Sequence, residues 1–259
     1  MIGIFDSWSG GLTFLAAMKY RFPDWSYLYH ADYENCPFGE KSPEEIQALT
    51  IAGVQKLFDA GATIVILACN TASAWTLRKL QTEIFPDKKI LWVTIPGAEK
   101  VVELWLKNVT VFATEQTVKS QTYAERVRIL DEKTHVQEIA LPWDLVREIE
   151  LLLPVHHCQN EWDFLQLMDL YHSYQWSCED EKWQSIVDRY FAPIVAHINE
   201  KSGGIVLGCT HYSYIRKSLH KLFPSMIFID PSEESAEKLN IYIQKHNVDI
   251  AAGGGIYFL

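Results

Sequence analysis

The chain has 259 residues, of which 48% are hydrophobic and 22% charged, a composition typical of a globular protein with one large domain or two smaller ones. Its formal charge of -10 and its pI of about 5.4 disfavour a nucleic-acid groove, because such grooves are lined by Lys and Arg. The start, Met1-Ile-Gly-Ile-Phe-Asp6, carries no basic leader and no apolar run approaches bilayer-spanning length, so we expect a cytoplasmic protein without membrane contact.

Seven short runs rich in β-branched and aromatic residues alternate with segments of helical period and predict strands. In chain order they are residues 2–5, 27–31, 63–68, 90–95, 109–113, 205–207 and 226–229. Such alternation is typical of parallel sheets covered by helices. Ser42-Pro43-Glu44-Glu45 predicts a helix start with a capping box, and Ser232-Glu233-Glu234 predicts a second acidic first turn.

Two of these runs are followed closely by a cysteine. Residues 64–73 read Ile-Val-Ile-Leu-Ala-Cys69-Asn-Thr-Ala-Ser, and residues 204–213 read Gly-Ile-Val-Leu-Gly-Cys209-Thr-His-Tyr-Ser. Buried parallel strands deliver reactive groups at their carboxyl ends, so the repeat predicts an active site with two thiols. We therefore expect an α/β fold of two pseudo-symmetric domains with mainly parallel sheets, and a ligand in the cleft between them.

The chain has five cysteines at irregular spacing: Cys36, Cys69, Cys158, Cys178 and Cys209. An odd number without a regular pattern argues against a disulfide framework and predicts reduced thiols. The cluster His156-His157-Cys158, with Cys178 beyond it, matches no standard zinc spacing, and we expect no metal site. Cys36 precedes Pro37 and is expected to serve packing.

The predicted domain division places residues 1–94 and 213–259 in the first domain and residues 95–212 in the second. Residues 153–183 break the alternation, because this segment is aromatic and His-rich; it includes His156, His157, Phe164, Tyr171, His172, Tyr174 and Trp176. We expect it to be mostly helical and to form a lid or a subunit interface, the latter in a homodimer. The C-terminal residues 252–259 are left unassigned.

Five motifs in fixed order carry a resemblance to a known family. They are Gly3-Ile-Phe-Asp6-Ser7 with Gly10-Gly11, Cys36-Pro37-Phe38-Gly39 with Ser42, Ala68-Cys69-Asn70-Thr71-Ala72-Ser73, Ala113-Thr114 with Thr117 and Ser120, and Gly208-Cys209-Thr210-His211. Over nearly its whole length the chain resembles the glutamate racemases of the cofactor-independent aspartate/glutamate racemase superfamily. The resemblance implies interconversion of L- and D-glutamate without a cofactor, for peptidoglycan synthesis.

The resemblance also assigns catalytic roles. Cys69 and Cys209 would flank the α-carbon, one as thiolate and the other as thiol, with helix starts after both cysteines favouring the thiolate. Asp6 would assist proton movement at Cys69, while His211 and Glu150 would serve Cys209.

Substrate contacts follow from the same match. Neutral donors that would stabilise the carbanion are Ser7, Asn70, Thr71 and Thr210, and further contacts would come from Asp6, His211, the backbone of Phe38-Gly39, and Thr117 at the substrate's distal end. The first loop departs from the family pattern Asp-Ser-Gly-x-Gly-Gly, because Trp8 replaces the first Gly. A positive φ at this position would make Trp costly, and the indole could instead cover the cleft.

Each candidate also has a structural interpretation. A buried Cys is usually a small core residue, Asp6 could cap the Gly10-Gly11 turn, and His211 could lie behind the site. Glu150 could be a solvated helix acid, and Asn70, Thr71 and Thr210 could only cap helices.

Three alternatives to glutamate racemisation stay open from the sequence: racemisation of aspartate or another amino acid by the same thiols, a non-catalytic module that binds an acidic amino acid, and a single-thiol decarboxylase.

Overall fold

The computed structural model describes residues 1–153, 158–172, 181–198 and 201–259, and side chains 169–172 are not described. Within these ranges the strands form two sheets, and all pairs of named strands are parallel. The strands are β1 (Ile2–Asp6), β2 (Tyr27–Ala31), β3 (Ile64–Leu67), β4 (Lys89–Trp92), β5 (Asn108–Thr114), β6 (His135–Leu141), β7 (Gly204–Gly208), β8 (Ile227–Ile229) and β9 (Ile256–Phe258).

Helices cover both sheets. They are α1 (Gly11–Arg21), α2 (Pro43–Asp59), α3 (Asn70–Lys79), α4 (Thr94–Glu103), α5 (Glu115–Ser120), α6 (Thr122–Leu130), α7 (Trp143–Leu152), α8 (Glu161–His172), α9 (Glu181–Phe191), α10 (Arg216–Leu222) and α11 (Pro231–Lys245). Shorter helical turns lie at Phe38–Glu40, Leu80–Ile84, Ala192–His197 and Thr210–Ile215. In the part of the chain that the structure describes, no helix combines the length and apolarity needed to cross a membrane.

Both sheets repeat one strand order. The first sheet runs β4-β3-β1-β2-β9, and the second, taken from the other edge, runs β8-β7-β5-β6. Four consecutive strands therefore match between the sheets, with β3 corresponding to β7. Cys69 and Cys209 follow these two strands after Ala68 and Gly208, so the thiols occupy equivalent ends. The predicted α/β fold with two pseudo-symmetric parallel sheets is confirmed.

The strands that precede the cysteines are buried along their whole length, with the sequences IVIL in β3 and GIVLG in β7. Continuous apolar runs of this kind suit central parallel strands, because helices cover both faces. The same close packing explains why residue 208 is a glycine. A Cβ at this position would lie 2.9 Å from Ala113 Cβ and 2.9 Å from the carbonyl oxygen of Phe112. The small residue lets β7 pack against β5.

The strand prediction for residues 90–95 was wrong at its end, because Thr94–Glu103 forms α4. Pro96 lies in the first turn of this helix, where its missing N–H removes no helical hydrogen bond. Two strands were missed. β6 is an edge strand with four half-buried residues, and β9 joins the first sheet beside β2.

The strand β8 pairs with β7 in the second sheet, in parallel register from Gly204 with Ile227 to Val206 with Ile229. The predicted boundary after residue 212 would instead group β8 with the first domain. The division of the chain into domains itself stays a prediction.

Both predicted helix starts are confirmed. The Glu45 N–H donates to Ser42 Oγ at 3.3 Å, and the Ser42 N–H donates to Glu45 Oε2 at 2.9 Å, which completes the capping box of α2. Helix α11 has Glu233 and Glu234 in its first turn, and Asp230 is its N-cap.

Within the aromatic segment 153–183, the described residues 158–168 pack on the first sheet. In α8 and just before it, Cys158, Phe164, Leu167 and Met168 are buried in a core shared with α1 and β2. The Phe164 ring lies 6.5 Å from the Phe258 ring of β9. The remaining residues of this prediction lie outside the described residues: His156, His157, Tyr174, Trp176 and Cys178, together with the side chains of Tyr171 and His172. The lid and the homodimer interface stay predictions.

Candidate active site

A small cavity lies where the carboxyl ends of strands from the two sheets face each other. Its volume is about 20 Å³, enough for a single water. The residues that line it are Ser7, Trp8, Pro37, Phe38, Gly39, Cys69, Asn70, Thr71, Thr114, Trp143, Val146, Cys209, Thr210 and His211. The two sheets thus bring both predicted cysteines to one closed cleft.

Cys69 is the N-cap of α3, and the residue is 5% exposed. Its Sγ lies 3.3 Å from Ser7 Oγ and accepts the N–H of Ala72 at 3.4 Å. Burial, and then the nearby Asp6 carboxylate, raise the pKa of the Cys69 thiol to about 12, although both hydrogen bonds act in the opposite direction. The helix start acts in the expected direction through the Ala72 N–H, but burial and Asp6 outweigh it at Cys69.

Asp6 ends β1 and lies behind Ser7, outside the cavity lining, where it is 1% exposed. The Trp8 N–H donates to Asp6 Oδ1 at 3.0 Å, and Thr210 Oγ1 donates to Asp6 Oδ2 at 3.3 Å. Burial raises the pKa of Asp6 to about 6, while His211 and the hydrogen bonds moderate the shift. The carboxylate thus connects the first strand to the residue that follows Cys209.

Cys209 follows β7, and its backbone caps the helical turn Thr210–Ile215. Its Sγ lies 3.9 Å from His211 Nδ1, and His211 Nε2 lies 2.5 Å from Glu150 Oε1. His211 and Glu150 are each 3% exposed. Burial disfavours the imidazolium, but the contacts to Cys209 and Glu150 outweigh it and raise the pKa of His211 to about 10. The structure therefore places an imidazole of raised pKa beside the second thiol.

Glu150 lies on α7 behind His211 and is not part of the cavity lining. Its burial and its contact with His211 contradict the alternative of a solvated helix acid. By contrast, Glu148 on the same helix is paired with Arg189, whose Nη1 lies 2.7 Å from Glu148 Oε1. The two acids of this helix therefore have different partners, His211 for Glu150 and Arg189 for Glu148.

Hydroxyl groups form a cluster at the other side of the cavity. Thr71 Oγ1 lies 2.9 Å from Thr114 Oγ1 and 3.2 Å from Thr117 Oγ1. Thr71 and Thr114 line the cavity, whereas Thr117 is fully buried behind them. Thr114 belongs to one of the five motifs, but no role was predicted for it. It holds the lining position that we expected of Thr117. Asn70 is held from behind, because Tyr123 donates its hydroxyl to Asn70 Oδ1 at 2.6 Å.

Trp8 closes the cleft. Its indole stacks on Trp143 of α7 with ring centroids 5.1 Å apart and planes 23° apart, and its ring centroid lies 5.8 Å from that of His211. The backbone of Trp8 does not adopt a positive φ, so the strain considered for this position does not arise. The alternative expectation, an indole that covers the cleft, agrees with the geometry.

Three cavity residues had no signal that sequence analysis recognised. Trp143 and Val146 lie one turn apart on α7, and their pattern is only that of an amphipathic helix. Pro37 belongs to a quoted motif, but nothing in that motif distinguished it from a packing residue. Ser9, whose hydroxyl donates to Glu150 Oε1, was also missed; a polar residue between Trp8 and the Gly10-Gly11 turn was the available signal.

No family model matches the chain. A glutamate racemase of Caulobacter sp. (strain K31) is 31% identical to it over 283 residues, covering 100% of this chain and 90% of the relative. A glutamate racemase of Ruegeria pomeroyi is also 31% identical, over 95% of this chain and 86% of its own length.

Among solved structures, a glutamate racemase of Francisella tularensis in complex with D-glutamate aligns with a TM-score of 0.79 and 25% identity, covering 99% of this chain and 86% of its own. An aspartate racemase of Picrophilus torridus shares the fold, with a TM-score of 0.57, 16% identity and 96% and 95% coverage. The motif order, the paired cysteines and these similarities agree, and the chain belongs to the glutamate racemases, which are cofactor-independent amino-acid racemases.

Proposed function

We propose that the protein interconverts L- and D-glutamate by a two-base mechanism in which Cys209 and Cys69 act on opposite faces of the α-carbon. The observation that carries the proposal is the convergence of both buried thiols on one cavity, from equivalent strand ends of two repeated sheets. The Francisella tularensis relative, whose structure contains D-glutamate, supports the choice of substrate.

The two thiols have unlike neighbours. His211 Nδ1 lies 3.9 Å from Cys209 Sγ and can hold the proton that leaves this thiol, whereas burial and then Asp6 raise the pKa of the Cys69 thiol. In one direction Cys209, acting as a thiolate, takes the α-proton, so the Cα–H bond breaks and an S–H bond forms. Cys69 then gives its proton to the opposite face of the carbanion. The reverse reaction uses the same groups in exchanged roles.

The carbanion needs its charge spread into the α-carboxylate. Cavity residues supply neutral donors for this purpose, namely the hydroxyls of Ser7, Thr71 and Thr210 and the amide of Asn70. In a site closed to water such fixed donors stabilise developing negative charge more effectively than water does. Asp6 lies behind the cavity lining near Cys69, and His211 lines the cavity beside Cys209. The reaction therefore proceeds on these side chains without a cofactor, and its D-glutamate serves peptidoglycan synthesis in the cytoplasm.

Aspartate is the second candidate substrate, because the stacked Trp8 and Trp143 restrict a cavity that is already small. A shorter side chain fits such a site more easily. The likeness to the Picrophilus torridus aspartate racemase concerns the fold alone.

The test uses circular dichroism of L- and D-glutamate, and separately of both aspartate enantiomers, with protein free of added cofactors. We expect both glutamate enantiomers to converge to zero ellipticity, and faster than aspartate. In heavy water the glutamate α-position should gain deuterium, which separates a racemase from a module that only binds the amino acid. Binding without deuterium incorporation would contradict the proposal, and faster aspartate turnover would reassign the substrate.

A further inference from the structure

Ser9 belongs to the loop that leaves β1 of the first sheet, directly after Trp8. It is fully buried, and it is held in place through its backbone, because its carbonyl accepts the Tyr214 hydroxyl at 3.1 Å and the Leu12 N–H at 3.0 Å. Its side chain is not part of the cavity lining. A direct contact with substrate is therefore not its role.

The Ser9 hydroxyl donates to Glu150 Oε1, the same oxygen that contacts His211 Nε2. Among the described residues, Glu150 Oε2 has no hydrogen-bond partner although it is buried. Ser9 and His211 thus supply the side-chain hydrogen bonds that the structure gives this carboxylate. A buried carboxylate is costly without donors, so each of the two matters.

The loop around Ser9 is closely packed against the His211 side of the site. A Cβ at Gly10 would lie 2.2 Å from Thr210 Oγ1 and 2.6 Å from His211 Nδ1. Only glycine permits this approach without displacing either side chain. The position of Ser9 relative to Glu150 is therefore fixed by backbone as well as side-chain contacts.

We propose that Ser9 is a positioning residue for the second thiol, completing the chain Ser9–Glu150–His211–Cys209 when the two sheets close on each other. The inference rests on the proposed racemisation. Donation from Ser9 orients the Glu150 side chain, whose Oε1 contacts His211 Nε2, and this contact leaves Nδ1 facing Cys209. Because Ser9 follows β1 of the first sheet and Glu150 lies on α7 of the second, their contact joins the two sides of the site.

Other titratable groups surround this chain of contacts. Asp6 and Cys209 face His211, while Tyr33, Tyr214 and Cys36 are close enough to Glu150 to feel its charge. None of the described contacts of these groups replaces the hydroxyl that Ser9 donates. The effect of removing it should therefore appear in the rate, through Glu150, rather than in substrate affinity.

The experiment is a kinetic double-mutant cycle with Ser9→Ala and Glu150→Gln. We expect Ser9→Ala to lower kcat about 10-fold in both directions while KM changes less than about twofold, since the hydroxyl lies outside the cavity. In the Glu150→Gln background the same change should lower kcat less than about twofold. The matched control is Ser235→Ala, which removes another buried hydroxyl, one that donates to the carbonyl of Pro231 on α11. It should leave kcat unchanged.

A kcat for Ser9→Ala within twofold of the wild type would overturn the proposal, and so would equal effects of Ser9→Ala in both backgrounds. Should Ser9→Ala fail to fold, Ser9→Gly removes the same hydroxyl and is judged by the same criteria. Absence of racemisation in the wild type would instead contradict the proposed function. Ser9 is then tested by the same cycle on the free energy of unfolding, where additive effects would show that Ser9 and Glu150 are not coupled.

Discussion

At the scale of single residues, the two thiols differ more in their neighbours than in their own positions. Cys69 has a hydroxyl and a buried carboxylate close by, and burial with that charge raises the pKa of its thiol to about 12. Cys209 has an imidazole whose pKa is raised to about 10. Equivalent strand ends therefore place the two thiols in unlike electrostatic surroundings.

Serine replacement of either cysteine tests the proposed roles of the two thiols. An alcohol is a far weaker acid than a thiol, so Cys69→Ser and Cys209→Ser should each lower the racemisation rate more than about 1,000-fold. The readout is circular dichroism of glutamate, and elimination from a substrate with a leaving group reports the thiol that remains. Cys36→Ser is the control and should retain racemisation, since Cys36 donates to the Tyr33 carbonyl. Full racemisation by either active-site variant would contradict the mechanism.

Asp6 should make stability depend on pH. Its pKa is about 6 in the folded protein and near 3.9 in an unfolded chain, so the folded state binds more protons between these values. The free energy of unfolding therefore falls as pH rises from about 4 to 6 and stays lower above that range.

The variant Asp6→Asn carries no charge to desolvate. At pH 8 we expect it to be more stable than the wild type by roughly 1 to 3 kcal/mol, the upper figure being a two-unit pKa shift and the lower one allowing for weakened hydrogen bonds. The difference should shrink as pH falls toward 4, in urea unfolding curves recorded at several pH values. A difference that is independent of pH would show that desolvation of Asp6 is not its cause.

At the scale of elements, the sequence predicts those strands and helix starts that a local pattern or a continuous buried run determines. The strands before both cysteines and the capping box of α2 follow from such patterns, and they are confirmed. The sequence did not predict β6, because an edge strand with half-buried residues lacks a continuous apolar run. It did not predict β9, because this three-residue strand is recognised only by its pairing with β2. The contact of Ser9 with Glu150 joins residues 141 positions apart, and no local pattern reports such a pair.

Helix α8 gives the element-scale prediction. Phe164 is fully buried against the core of the first sheet, so Phe164→Ala should lower the free energy of unfolding by about 3 to 5 kcal/mol. Trp162→Ala is the matched control on the same helix, since Trp162 is 70% exposed and should change stability by less than about 0.5 kcal/mol. Equal stability of the two variants in urea unfolding would show that α8 does not dock on this core.

At the scale of the whole molecule, the two sheets are closed around a cavity that holds about one water, whereas small-molecule pockets commonly measure roughly 300 to 1,000 Å³. Contacts that cross the cleft include the stack of Trp8 on Trp143 and the hydrogen bond of Thr210 to Asp6. We therefore expect these contacts to separate before glutamate enters.

Opening should limit the rate of binding. In stopped-flow tryptophan fluorescence, the observed rate should reach a plateau as the glutamate concentration rises, because opening precedes binding. Trp8→Ala removes the stack and should raise the plateau at least threefold, while Trp8→Phe keeps an aromatic ring there and should stay within about twofold of the wild type. A rate that rises linearly with concentration in the wild type would show that the cleft is open before binding.

The repeated strand order has a kinetic consequence. Mirror-image amino acids have equal free energies in water, so the equilibrium between them is one to one, and a catalyst must process both with equal kcat/KM. In the proposed mechanism each enantiomer meets one of the two thiols at equivalent strand ends, yet the side chains near the two thiols are unlike. A kinetic difference between the two directions can therefore appear only as matched differences in turnover number and Michaelis constant. The enantiomer that saturates the enzyme at lower concentration is then also the one converted more slowly.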